Sequence, residues 1–174
     1  MSTVAATLVF MGQDLSPQYH AWYGLLQAGL RSLDKVERDM EEQVGLPLAW
    51  FEVLVFLDHD ERRRMSELAD DLLLSRGGAT RLIARMEEAG YVVREVPPDD
   101  RRATYAVITA KGREAVERGK PLHVAAVERH FGAAVTPEEA EVVRSMSARV
   151  LGHLDASCAW LDRDAEWQVG TADR

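Results

Sequence analysis

The sequence lacks most of the features that announce chemistry. One cysteine, Cys158, among 174 residues cannot close an internal disulfide, so packing alone must hold the fold. No apolar run approaches the roughly 18 residues of a membrane span, and residues 1–14 have no basic opening of the secretory kind. The expectation is a cytoplasmic protein with no membrane partner. The five histidines, His20, His59, His123, His130 and His153, never stand at the i, i+4 spacing of a helical zinc site, so neither a metal nor a cofactor is expected. No nucleophile motif and no phosphate-cradling glycine loop is present, which counts against an enzyme. The chain also lacks an excess of positive charge. Its formal net charge of -8 argues at first against a nucleic-acid partner.

Distribution matters more than the sum. Residues 62–102 hold nine Arg against eight Asp plus Glu, leaving twelve Lys plus Arg against twenty-one acidic residues elsewhere. The middle of the chain is therefore a relatively basic island. Residues 1–14 show no period and read as an arm. Ser16-Pro17 is a helix start, and Tyr19, Trp22, Tyr23, Leu26, Leu30, Leu33, Met40 and Val44 then recur mostly at three- and four-residue steps until Gly45 and Pro47. Leu48 to Leu57 is nearly all apolar and predicts a core helix. Ser66 is expected to cap a short third helix with Leu68, Ala69, Leu72 and Leu73 on one face, and a turn at Leu74-Ser75 leads into a fourth.

On that fourth helix Ala79, Leu82, Ile83 and Met86 share a face, and Gly90 ends it. Strand-like YVVREV and RRATYAVIT flank a PPDD turn. Thr109 opens a helix expected to be interrupted near Gly119 and Pro121. Thr136 to Glu139 is a full capping box ahead of a stripe at Val143, Met146, Val150, Leu154, Cys158 and Leu161. The predicted class is mainly α, in the order α-α-α-α-β-β-α-α, with room for a short extra strand near 62–65.

Helix, short turn, helix and hairpin make a winged helix-turn-helix, whose second short helix fits the DNA major groove. Arg81 points outward there, and its planar fork of donors matches guanine O6 and N7; Arg85 is a base or phosphate contact beside it. Ser75, Arg76 and Thr80, near the helix start, reach phosphates with help from the free amides and the dipole. Arg101 and Arg102 sit at the hairpin tip beside Asp99 and Asp100, suited to a narrow minor groove. The plain alternatives are a solvated helix face paired with Glu88 and a charged loop tip; the helix-turn-helix context favours DNA contact.

The stretch SELADDLLLSRGGATRLIARMEEAGYVVREVPPDDRRATYAVITAKG resembles the central signature of the MarR family, including the D-x-R of the wing at Asp100 and Arg102. The resemblance covers roughly residues 16–160. It implies a homodimer on a pseudo-palindromic operator, usually a repressor released by a small ligand or by oxidation, with the wing arginine in the minor groove and Asp100 supporting it. It also implies a division into an arm (1–15), a dimerisation helix (16–46), a winged helix-turn-helix region (47–109), C-terminal dimerisation helices (110–165) and a tail (166–174), all in one compact unit. The expected partners are double-stranded DNA, a second copy of the chain, and a small aromatic or anionic effector. Trp22, Tyr23, Trp50, Phe51 and Arg64 are candidate lining for that effector's pocket, with core packing as the competing role of the aromatic residues. Two departures stand out. Gly77 and Gly78 occupy positions where such helices more often carry polar residues, and Cys158 lies late in the chain, which makes thiol sensing doubtful. The alternatives are an interaction module with degenerate DNA contacts and a metal-responsive regulator.

Overall fold

The computed structural model describes residues 15–98 and 103–154. Among these are six α-helices: α1 (Pro17–Val44), α2 (Leu48–Asp60), α3 (Met65–Asp71), α4 (Arg76–Glu88), α5 (Ala110–His130) and α6 (Pro137–His153). Three short strands, β1 (Arg62–Arg64), β2 (Val92–Glu95) and β3 (Tyr105–Ile108), form an antiparallel sheet in the order β1-β3-β2. The mainly α winged helix-turn-helix is thus present, and the extra strand near 62–65 is real.

The contacts divide the chain into two compact units, one ending at Asp34 and one beginning at Lys35, where the sequence suggests a single unit. No residue of α1 ahead of Val36 is buried. In the first unit the Ser16 hydroxyl accepts the Tyr19 N–H at 3.2 Å, opening α1 as expected. Tyr19, Trp22 and Tyr23 then form a ladder of rings with centroids 5.5 and 6.5 Å apart.

In the second unit the core is built around α2, which buries Leu48, Phe51, Val53, Leu54 and Leu57 because almost every position on it is apolar. Met40 and Val36 pack into the same cluster with Leu68, Ile83, Met86, Val92 and Val116. Helix α5 lies close against α2. A Cβ on Gly119 would stand 2.5 Å from the Phe51 ring, so only glycine admits this approach.

Three sequence expectations need correction. Helix α3 starts at Met65 with Arg64 before it, not Ser66, because β1 runs straight into the helix and the Glu67 carboxylate accepts the Arg64 N–H at 3.1 Å. It stops at Asp71, so Leu73 leaves the buried face: its φ is +53° and it is 93% exposed. Helix α5 is also unbroken through Pro121. The carbonyl that loses its amide partner there belongs to Glu117, an exposed residue, so the lost bond leaves no polar group in the core. Cys158 and Leu161, assigned to the last apolar stripe, lie outside the described residues, as do residues 1–14 and the tail.

Candidate nucleic-acid interface

Helix α3 closes on the turn that delivers α4. The Leu74 N–H reaches the Ala69 carbonyl at 2.8 Å and the Leu73 N–H reaches Asp70 at 3.2 Å, a helix-ending pair of bonds that needs the intervening residue in the left-handed region. Leucine fills that position here. The same pair of bonds ends α4, from Tyr91 to Met86 and from Gly90 to Glu87, both at 2.9 Å, with Gly90 at φ +79°.

Ser75 caps α4, its Oγ accepting the Gly78 N–H at 3.1 Å; the hydroxyl proton stays available to a phosphate. No acidic residue stands in the first turn of α4, so the positive end of its dipole is not neutralised locally. Ala79, Leu82, Ile83 and Met86 are buried, and this seats the helix on the core. Arg76, Thr80, Arg81 and Arg85 are exposed on the remaining surface. Among the described residues none of these three arginines forms an ion pair, with Glu88 or any other carboxylate. The Thr80 hydroxyl donates to the Arg76 carbonyl at 2.8 Å and is committed inside the helix. A Cβ on Gly77 would meet the Arg81 guanidinium at an ordinary 3.5 Å, so Arg81 folds back along the helix over bare backbone.

The wing is tied to this helix. Arg94 of β2 donates to Glu87 of α4 from its backbone N–H at 3.0 Å and from its Nε at 2.7 Å. The hydrogen bonds from the Arg94 side chain and then its backbone hold the Glu87 carboxyl below the usual glutamate range. The far end of α4 is held by α5. Lys111 Nζ donates to the Ala89 carbonyl at 2.7 Å, and the Thr109 hydroxyl, which accepts the Gly112 N–H, donates to the Gly90 carbonyl at 2.8 Å.

Of the tip residues, Asp100, Arg101 and Arg102 lie outside the described positions. The five pocket candidates fall in both units. Trp22 and Tyr23 belong to the first, where Trp22 is 53% exposed. In the second, Trp50 is half-buried edge-on to Tyr91, ring centroids 5.8 Å apart, while Phe51 is fully buried beside Gly119 and the His123 ring. Burial holds the His123 imidazole below its ordinary pKa.

The arginine triplet Arg62, Arg63 and Arg64 is sorted by β1. Arg63 faces inward, donates to Asp60 at 2.5 Å and to Asp71, and covers the Phe56 ring, so it braces α2 against α3. Burial alone would raise Asp60, but the hydrogen bonds from His59 and Arg63 hold its carboxyl low. Arg64 points the other way, its Nε donating to the Tyr105 hydroxyl at 2.8 Å. Sequence reasoning also missed the Arg94–Glu87 tie and the Lys111 cap; only the strand period of two in RRR was there to be found.

Comparison with known proteins agrees with this geometry. A family model described as MarR family matches residues 44–103. The HTH-type transcriptional regulator YkoM of Bacillus subtilis is 33% identical over 102 residues, 59% of this chain and 65% of that protein, so the chain spans just under two thirds of its length. The crystal structure of AbsC, a MarR family transcriptional regulator from Streptomyces coelicolor, superposes with a TM-score of 0.74 at 32% identity, covering 83% of this chain and 99% of that one. Sco3205, a MarR family transcriptional regulator from the same organism solved in complex with DNA, gives a TM-score of 0.74 at 29% identity, covering 83% and 96%.

Proposed function

The chain belongs to the MarR family of winged helix-turn-helix transcriptional regulators, and from that premise we propose that it is a homodimeric repressor of a pseudo-palindromic operator, released by a small-molecule effector. Each α4 enters one major groove, the two recognition helices standing about 34 Å apart, one DNA turn. Arg81 reads a base edge. Arg85, Arg76 and the Ser75 hydroxyl at the helix start contact phosphate or neighbouring bases, Thr80 joins them only if its hydroxyl leaves the Arg76 carbonyl, and Arg101 and Arg102, steadied by Asp100, enter the minor groove.

The observation that carries this is the division of α4 into two faces. One is fully buried; the other presents three exposed arginines that no described carboxylate neutralises. Dimerisation is supported by α6, whose 17 residues include none that is buried although Val142 and Val150, with Leu154 just past the helix end, are apolar and exposed. A helix half-buried at best gains little of the packing that stabilises helices, and a partner would supply more. The region assignments follow: residues 16–46 and 110–165 for dimerisation, 47–109 for DNA.

The test is an anisotropy titration on duplex DNA from upstream of the protein's own gene, across a salt series, with unrelated DNA as control. Salt-sensitive binding that prefers the upstream duplex supports the proposal. Equal binding to both duplexes at every salt concentration contradicts an operator there.

A further inference from the structure

The outer face of the wing sheet carries a groove of about 600 Å³ that the recognition helix does not touch; Arg62, Arg64, Glu95, Tyr105 and the Pro97-Pro98 pair line it. Strand pairing creates it. Arg62 stands opposite Val107, and Arg64 stands opposite Tyr105, with Glu95 on the other side of Tyr105. Because side chains alternate along β1, Arg62 and Arg64 share the outer face while Arg63 turns inward. Both guanidinium carbons lie over one phenol ring, 5.0 Å and 5.6 Å from its centroid. The Arg64 Nε donates to the Tyr105 hydroxyl, which fixes that fork in place. Among the described residues no carboxylate pairs with Arg62.

Two guanidiniums converging on one ring repel each other. An oxyanion between them offsets that repulsion and accepts from both planar forks, the geometry for which arginine is best suited. The prolines give the groove an apolar wall, and Glu95 across from Arg64 keeps the anion toward Arg62. We propose that this groove is an oxyanion-binding site in which Arg62 and Arg64 hold a carboxylate or phosphate over Tyr105. The oxyanion has two available sources, a free small molecule or a phosphate of the DNA backbone. Only the second depends on the DNA-binding function above.

The experiment has two arms, both on the full chain. In the first, benzoate and, separately, inorganic phosphate are titrated into 15N-labelled protein, and the amides of Arg62, Val96 and Tyr105 are followed. A free anion gives saturable shifts at those amides, and Arg62→Gln weakens its binding about tenfold or more. Tyr105→Phe keeps the ring but removes the hydroxyl that holds Arg64, and weakens binding less. In the second, duplex affinity is measured across salt for wild type and Arg62→Gln. A backbone phosphate in the groove makes the variant's log-log slope shallower by about 0.9 for each phosphate no longer neutralised. Shifts without a slope change assign a free anion, and a slope change without shifts assigns the backbone. Neither effect, in variants that unfold at the wild-type temperature, overturns the site. If the wild type binds no duplex at all, the repressor proposal fails and the first arm alone decides this one.

Discussion

Two single residues in the helix-turn-helix carry opposite conflicts between local propensity and position. Leu73 occupies the left-handed region that glycine fills at the end of α4, a conformation costing an L residue about 1–2 kcal/mol, and its 93% exposure means that almost no burial offsets it. Leu73→Gly therefore raises stability by about 1 kcal/mol, visible as a higher denaturant midpoint. Gly77 is the reverse case. It lies inside a helix where glycine costs about 1 kcal/mol against alanine, and a Cβ there meets only the Arg81 guanidinium at a comfortable 3.5 Å. Nothing in the fold requires this glycine, which fits the proposal that DNA approaches the helix backbone closely here. Gly77→Ala is expected to raise the melting temperature while lowering operator affinity; a variant that gains stability and keeps full affinity would show that the backbone makes no close contact.

At the scale of elements, the wing is tied to the recognition helix because Arg94 of β2 holds Glu87 of α4 with both backbone and side chain. Arg94→Ala removes the side-chain half of that grip. Duplex affinity should fall several-fold while global stability changes little, since the pair is largely exposed; unchanged affinity would show that β2–β3 pairing alone positions the wing. Elements encoded by contiguous residues are legible in the sequence alone. Thr136 and Glu139 complete their capping box, Ser75 caps α4, and Thr109 caps α5, because each cap reaches only three residues along the chain. The illegible boundaries depend on distant residues. The start of α3 follows from β1 pairing with β3, which Arg64 reports through a hydrogen bond 41 residues away. The role of Gly119 inside α5, the close approach to Phe51, is a contact that no local pattern displays. The site is legible in part: the exposed face of α4 comes from helical period alone, whereas the roles of Arg62, Arg63 and Arg64 need the strand.

At the scale of the molecule, the net charge of -8 is compatible with DNA binding because the basic residues are placed and the acidic ones are mostly elsewhere. Among the described residues no helix is long and apolar enough to cross a membrane. In the proposed dimer a second copy covers the exposed apolar side chains of Val142 and Val150 on α6 and of Leu154 just past its end, all more than half exposed. Val150→Asp should raise the dimer dissociation constant at least about tenfold in sedimentation equilibrium, since it places a charge in an apolar contact. On the proposed two-half-site operator, affinity should fall with it, because a lone protomer would read only one half-site.

Whether the outward face of α4 reads sequence through Arg81 is tested most directly by comparing wild type and Arg81→Ala on a panel of single-base-pair operator variants at fixed salt. The expected result is that Arg81→Ala binds the native operator more weakly and loses discrimination at one base pair per half-site, by about 1–3 kcal/mol, while keeping it elsewhere. An equal loss on every duplex, with the wild-type pattern of preference intact, would contradict a base-reading role and reduce Arg81 to a contact with the DNA backbone.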